Sequence, residues 1–416
     1  MKMNFSPAMT IIKCIFIVSI SCASSACLDH SIGGTFKNSP DEFWASASKP
    51  ARTLVEKSFM GFNGIAIVDY HMHLMGPGKN GSAVQIKPSL ITGYNIMDRI
   101  GYKLYLSAAN VSKSGPEGDR QYMHWLEKQI EHFGHETQNH LLSLDFAYTK
   151  ARIPDPKNTV MHVSNEYLMR VVARSEINFI PVASVHPSRK NATEILGDLN
   201  RLGVKYIKWS PNSQNIDPTG AEAIAFYKVM KKYDMVLITH GGSLPSMMRY
   251  PGALEYGNPL LLKNALDVGI RVIVTHSAAV GDCIDFHVDD LNRVPCYKLL
   301  IRMMEETAYN GILYADISGL AGYQHDPKIL KTFLARTDLH DFLVNGSDYP
   351  TPGMDVAFST RHLVHEGFLS KEEAVLLEEI YKYNPLLFDF VLKRTVKHPQ
   401  AGTRFAKEIF MASHRL

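Results

Sequence analysis

Cysteine is scarce in this chain: there are five in 416 residues and none forms a Cys-x-x-Cys pair, which excludes a zinc site built on cysteine. Charge of one sign is scarce too. The net charge is +3, no Lys/Arg run exceeds a pair and there is no acidic tail, so the electrostatic footprint of a nucleic-acid binder is missing. No low-complexity tract occurs, and no apolar run reaches the ~20 residues that a membrane-spanning helix needs. What remains is an ordinary globular composition, 45% hydrophobic and 20% charged, long enough for one large domain. Histidine stands out at 18 residues, and where those histidines fall decides the chemistry.

The longest apolar run lies near the start. Lys2 and Lys13 flank or enter Ile11 to Ile20, and the small residues Ser21, Ala23, Ser24, Ser25 and Ala26 follow. A basic start, a short apolar stretch and a small-x-small site have the layout of a secretory signal over residues 1–26, which implies export to a bacterial periplasm. Cleavage after Ala26 makes Cys27 the first mature residue. Ser24-Ser25-Ala26-Cys27 resembles a lipobox, in which that cysteine carries a lipid anchor, although Ser24 stands where Leu is preferred. Cys14 and Cys22 leave with such a signal. Cys283 and Cys296 then read equally well as a disulfide or as two buried thiols. The mature chain has no second membrane segment.

Residues 27–62 read as a polar, weakly patterned leader that packs against the main domain. From residue 65 a rhythm sets in. Short β-branched or apolar runs end in polar residues at Ile65–Asp69, Leu141–Ala147, Phe179–His186, Val204–Lys208, Met235–His240, Arg271–His276, Ile312–Ile317 and Phe342–Asp348. Helical patterns over Ser164–Ser175, Asn191–Leu202, Ala221–Tyr233 and Pro259–Val268 separate several of them. Strands alternating with helices predict a parallel sheet covered by helices, and eight such runs fit a closed (β/α)₈ barrel, a TIM barrel, over residues 63–395. The first strand is followed by His-Met-His rather than the Gly-rich turn of an open doubly wound sheet. A long insertion, about 74–117, comes after that strand. It holds a further candidate strand, Lys103–Ala108, and residues 396–416 read as a tail.

The histidines stand at the carboxyl ends of these strands, where barrel enzymes put their active sites. His71 and His73 end the first, Thr239-His240 the fifth, Thr275-His276 the sixth and Gly346-Ser347-Asp348 the eighth. Side chains at i and i+2 of a strand point the same way, so both imidazoles of His71 and His73 can reach one ion. Each element alone is weak: a lone strand-end histidine is more often structural, and Gly-Ser-Asp-Tyr-Pro alone reads as a turn. Together and in barrel order they make a ligand set of histidines and one carboxylate. Such a set suits zinc first, with manganese, iron or cobalt as alternatives.

The pattern resembles the amidohydrolase superfamily, in particular its amidohydrolase-2 branch. The residues that carry the resemblance are Val68-Asp69-Tyr70-His71-Met72-His73, Ser184-Val185-His186-Pro187, Ile207-Lys208, Thr239-His240, Thr275-His276, Gly346-Ser347-Asp348-Tyr349-Pro350 and Asn384-Pro385-Leu386-Leu387-Phe388, spanning about residues 65 to 392. The resemblance implies that His71, His73, Asp348 and His240 hold a metal, and that His276 binds a second ion or meets the substrate's developing charge. It also implies that Lys208 bridges two ions as a carboxylated lysine or is a bystander, so one metal and two both stay open.

The expected activity is hydrolysis of an amide, lactone or ester bond in a small molecule, by metal-activated water with Asp348 as general base. The runner-up is non-oxidative decarboxylation on the same site, with Arg120, Arg249 or Lys79 as anchors for a substrate carboxylate. A non-catalytic binding role is the third reading. His186, Asp145, Asp316, Trp209, Ser210, Asn212 and Gln214 can face the pocket or support it, with structural roles as the plainer account. Lys371-Glu372-Glu373 and Glu378-Glu379 read as a solvated helix face. Loops 74–117, 209–220, 243–258 and 277–298 should set specificity. The sequence leaves a homo-oligomer open.

Overall fold

The computed structural model describes residues 34, 38–243, 250, 252–286, 292–412 and 416. The signal expected over residues 1–26, and Cys27, lie outside them. Eight parallel strands form one sheet in chain order: β1 (Ile67–His73), β2 (Thr137–Leu142), β3 (Phe179–Ala183), β4 (Tyr206–Trp209), β5 (Val236–His240), β6 (Arg271–Thr275), β7 (Leu313–Asp316) and β8 (Leu343–Val344). The last meets the first. Tyr70 N donates to Asn345 O (2.9 Å), His73 N to Tyr349 O (3.0 Å) and Asp348 N to His71 O (2.7 Å), so the sheet closes into the expected barrel.

Helices follow the strands on the outside: α1 (Gly115–Glu131), α2 (Asn165–Arg174), α3 (Ala192–Arg201), α4 (Ala221–Lys232), α5 (Lys263–Val268), α6 (Cys296–Met304), α7 (Pro327–Ala335), α8 (Lys371–Tyr381) and α9 (Pro385–Thr395). Ser and Asn side chains cap several of them; Ser164 accepts from Tyr167 N and Asn384 from Leu387 N. Strand alternation splits the apolar residues into two cores. Val68, Tyr70, Leu142, Val182, Val236, Ile238, Ile273, Tyr314 and Val344 fill the barrel, while their neighbours face the helices.

Several expectations change. Lys103–Ala108 is the end of a helix, Ile96–Ala108, started by the Asn95 side chain on Met97 N; its Tyr- and Leu-rich composition suits either state locally. The described leader residues are helical over Lys49–Ser58, and Ser48 at that helix's start bonds Glu379 of α8. Lys371, Glu372 and Glu378 are exposed on α8 as expected, and some of its acids also serve as joints: Glu373 caps the helix and Glu378 accepts from Thr360. The tail is built in: Ile409 O accepts from Asn345 N (2.8 Å) and Met411 bridges Ile67 at the amino end of the barrel seam. Cys283 and Cys296 form a disulfide that ties the hairpin Asp282–Ile284/Arg293–Pro295 to α6. None of the helices among the described residues is long and apolar enough to cross a membrane.

Beside the seam sits a buried ion pair. Lys393 on α9 donates to Asp389, to Gly346 O (2.7 Å) and to Asn345 Oδ1 (3.4 Å), which ties α9 to the chain entering Asp348. Burial pushes the Asp389 carboxyl up to about 6 even beside that lysine. Removing one partner of a buried pair leaves an uncompensated charge. Lys393→Met should therefore lower the unfolding free energy in urea by about 3–5 kcal/mol, and adding Asp389→Leu should restore most of it.

Candidate metal centre

Whether a strand-end residue faces the barrel or the helices is a matter of counting by twos. From the interior residues Tyr206, Ile238 and Tyr314, the alternation carries Lys208, His240 and Asp316 inward, while Asp348 lies past the end of β8 with a positive φ of 56°. The same count fails for the other three histidines. In β1, Val68 and Tyr70 face inward, which would turn His71 and His73 out. The register shows why they face in: Asp69 pairs with Asn139 but Met72 with Leu141, so β1 holds one extra residue, a β-bulge. Beyond it Met72 joins the outer core, and His71 and His73 turn to the mouth. The Asp69 carboxylate, which accepts from His71 N and Ser347 N (both 2.9 Å), holds the bulge; burial pushes it up to about 7. His276 is redirected by the backbone instead. It opens a turn of three residues with positive φ, His276, Ser277 and Ala278 at 57°, 47° and 49°, a strained path of the kind found at functional sites.

The six expected ligands lie as neighbours, with His71, His276 and Asp348 drawn most closely together. His71 Nε2 lies 3.2 Å from His73 Nε2, 3.4 Å from Asp348 Oδ1 and 3.3 Å from Lys208 Nζ. His73 Nε2 is 3.3 Å from the same Asp348 oxygen. His71, His276 and Asp348 each offer a ligand atom within 4.8 Å of the others, and the His240 ring lies 5.3 Å from that of His276.

The protonation pattern tests whether a cation fits. His71 Nδ1 faces Asp316 Oδ2 at 2.9 Å, and a carboxylate only accepts, so Nδ1 carries the hydrogen and Nε2 is bare. Burial, and then Lys208, push the His71 imidazole down to about 3, so it stays neutral at neutral pH. Burial likewise lowers His73 and takes His240 well down. Burial alone would raise Asp348, yet His276, His73 and His71 together hold it well below the usual carboxylate range. A bare imidazole nitrogen and an anionic carboxylate therefore converge, while His73 Nδ1 and His240 Nε2 are buried without a hydrogen-bond partner. A divalent ion fits this donor set, which is of the kind that holds zinc.

Two supports were missed or undecided in the sequence. Asp316, fully buried, accepts from His71 and also from His276 N (2.8 Å) and Ser318 N (3.0 Å). Ser318, unnoticed there, places Oγ 2.8 Å from His276 Nδ1. The signal was present as an Asp-x-Ser pair at a strand end. Gly346 supplies room: a Cβ there would come within 2.8 Å of the His71 Cβ.

The remaining candidates are structural. His186 bonds Gln214 O and Ser188 N, and Asp145 takes Arg189 in two bonds rather than a ligand histidine. Trp209 donates to Val185 O, while Ser210 N donates to Gln214 Oε1 and Asn212 donates to Gly242 O and Leu254 O, bracing neighbouring loops. Arg120 and Lys79 are exposed, and Arg249 lies outside the described residues.

No protein-family model and no curated protein matches the chain. Among solved structures it is similar to a putative 2-pyrone-4,6-dicarboxylic acid hydrolase from Pseudomonas putida, at 15% identity over 83% of this chain and 97% of that one, with a TM-score of 0.41. It is also similar to a 5-carboxyvanillate decarboxylase from Sphingomonas paucimobilis (8% identity, 84% and 100% covered, TM-score 0.41). A putative amidohydrolase from Staphylococcus aureus is a third (12% identity, 77% and 97% covered, TM-score 0.38). Identities and scores this low leave the chemistry to be read from the site itself.

Proposed function

We propose that the chain is a metal-dependent hydrolase that cleaves a C–N or C–O bond of a small amide, lactone or ester. The observation that carries this reading is the convergence of His71 Nε2, His73 Nε2 and Asp348 Oδ1 within 3.2–3.4 Å at the carboxyl end of the barrel. A divalent ion bound there supplies positive charge that can lower the pKa of water from 15.7 to about 7 and polarise a carbonyl oxygen.

The chain's own residues do the rest. Asp348 is anionic and accepts a hydrogen bond from Thr351 Oγ1 through Oδ2 (2.8 Å), which leaves Oδ1 toward the histidines. It can take a proton from the attacking water and deliver it to the leaving nitrogen or oxygen as the acyl bond breaks. His276, whose ring lies 5.1 Å from that of His71, is within reach of charge that would develop on the carbonyl oxygen. Lys208, buried beside His71, supplies a second positive group when its amine is free and an anionic ligand when it is carboxylated.

Hydrolysis is favoured over decarboxylation because two of the cations available as carboxylate anchors, Arg120 and Lys79, are exposed on the surface. The disulfide supports an oxidising compartment, which agrees with the signal-like start and with export to a periplasm.

Metal analysis of protein purified without chelator should give one or two divalent ions per chain, with His71→Ala losing most of them. Full metal content and full turnover in that variant would remove this site from consideration. Asp348→Asn should lower kcat by about 10²–10⁴-fold, the usual worth of a positioned base. A pH-stat trace with no CO₂ release should accompany turnover; CO₂ release would replace hydrolysis with decarboxylation.

A further inference from the structure

Asp316 Oδ1 is crowded with donors. It accepts His276 N at 2.8 Å and Ser318 N at 3.0 Å, and Ser318 Oγ lies against the same oxygen. Two oxygens that close repel unless a hydrogen lies between them, and a carboxylate that already accepts two N–H groups has none to give. The hydroxyl hydrogen of Ser318 therefore points at Asp316. That commits the only hydrogen Ser318 Oγ has. Its 2.8 Å contact with His276 Nδ1 can then be satisfied in one direction alone, with Nδ1–H donating to Oγ.

We infer that Ser318 is a positioning residue that relays the accepting character of Asp316 to His276, so that one buried carboxylate sets the tautomers of two imidazoles. It acts on His71 directly, at 2.9 Å from Nδ1, and on His276 through the hydroxyl. Both rings then present a bare Nε2 to the space between them, where their centroids are 5.1 Å apart. The backbone reinforces the arrangement. Ser277 Oγ donates to Asp316 O (2.7 Å), and His276 N is held by the Asp316 side chain, so the positive-φ turn and the relay are anchored on one residue. Without Ser318, His276 could place its hydrogen on either nitrogen, and the Nε2–H form would turn a donor toward the ligand cluster.

The importance of this relay for metal binding rests on the metal-dependent reading, but the tautomer itself does not. Full-length protein labelled with ¹⁵N-histidine and stripped with chelator should show, in long-range ¹H–¹⁵N correlation spectra, the Nδ1–H pattern for both His71 and His276, assigned by His71→Gln and His276→Gln. Ser318→Ala should turn His276 into a mixture or into the Nε2–H form and leave His71 as it was; Ser318→Thr, which keeps the hydroxyl, should restore the wild-type pattern. An Nε2–H pattern for His276 in the unmodified chain overturns the relay even if Ser318→Ala fails to fold. So does an unchanged His276 pattern in a folded Ser318→Ala. Zinc titration against a chromophoric chelator should show Ser318→Ala binding about 10–100-fold more weakly, the usual effect of losing a group that orients a metal ligand, with Ser318→Thr near wild type. If the wild type takes up no zinc while the tautomers are as stated, the metal reading falls and the relay stands.

Discussion

One surplus residue in the first strand is the constraint on which the rest of the site depends. A strand that fills the barrel with Val68 and Tyr70 has no regular way to turn His71 and His73 to the same interior, because alternate side chains keep to their faces. The bulge between Asp69 and Met72 changes the parity. It also frees the His71 N–H from the ladder, and the Asp69 side chain takes it up together with the N–H of Ser347. The same carboxylate thus joins the strand carrying two ligands to the loop carrying Asp348. Gly346 completes the fit by leaving the space that the His71 side chain needs.

Polar groups in so dry a place must be satisfied or used. Asp69 and Asp316 each gather hydrogen bonds from two chain segments, and Lys393 bonds the chain that leads into Asp348. At the mouth they leave the Nε2 atoms of His71 and His73 turned toward the Asp348 carboxylate.

Much of this could be read from the residues. The eight strands follow the apolar runs, and Lys208 and His240 reach the mouth by simple alternation from Tyr206 and Ile238. The orientation of His71, His73 and His276 could not. It needs the bulge in one case and a left-handed backbone at three non-glycine residues in the other, and neither has a composition that announces it. Residues 103–108 misled because aromatic and branched residues in a short window suit strand and helix alike, and the Asn95 cap decides for helix. The face of α8 was legible, with Lys371, Glu372 and Glu378 exposed, but not the partners of its acids: Glu373 bonds the capping turn, Glu378 Thr360, and Glu379 Ser48, far away in sequence.

The segment at Ile409 and Met411 bears on when this fold can form. It clasps the seam, one residue bonded to Asn345 just past the end of β8 and the other bridged to the start of β1. A chain still being synthesised can pair its strands in order, each with the one before, but the first and last strands stay unclasped until the segment at Ile409 and Met411 has been made. Unpaired strand edges are templates for aggregation. A segment that follows β8 in the chain thus takes part in closing the barrel, so closure in space waits on residues made after the last strand.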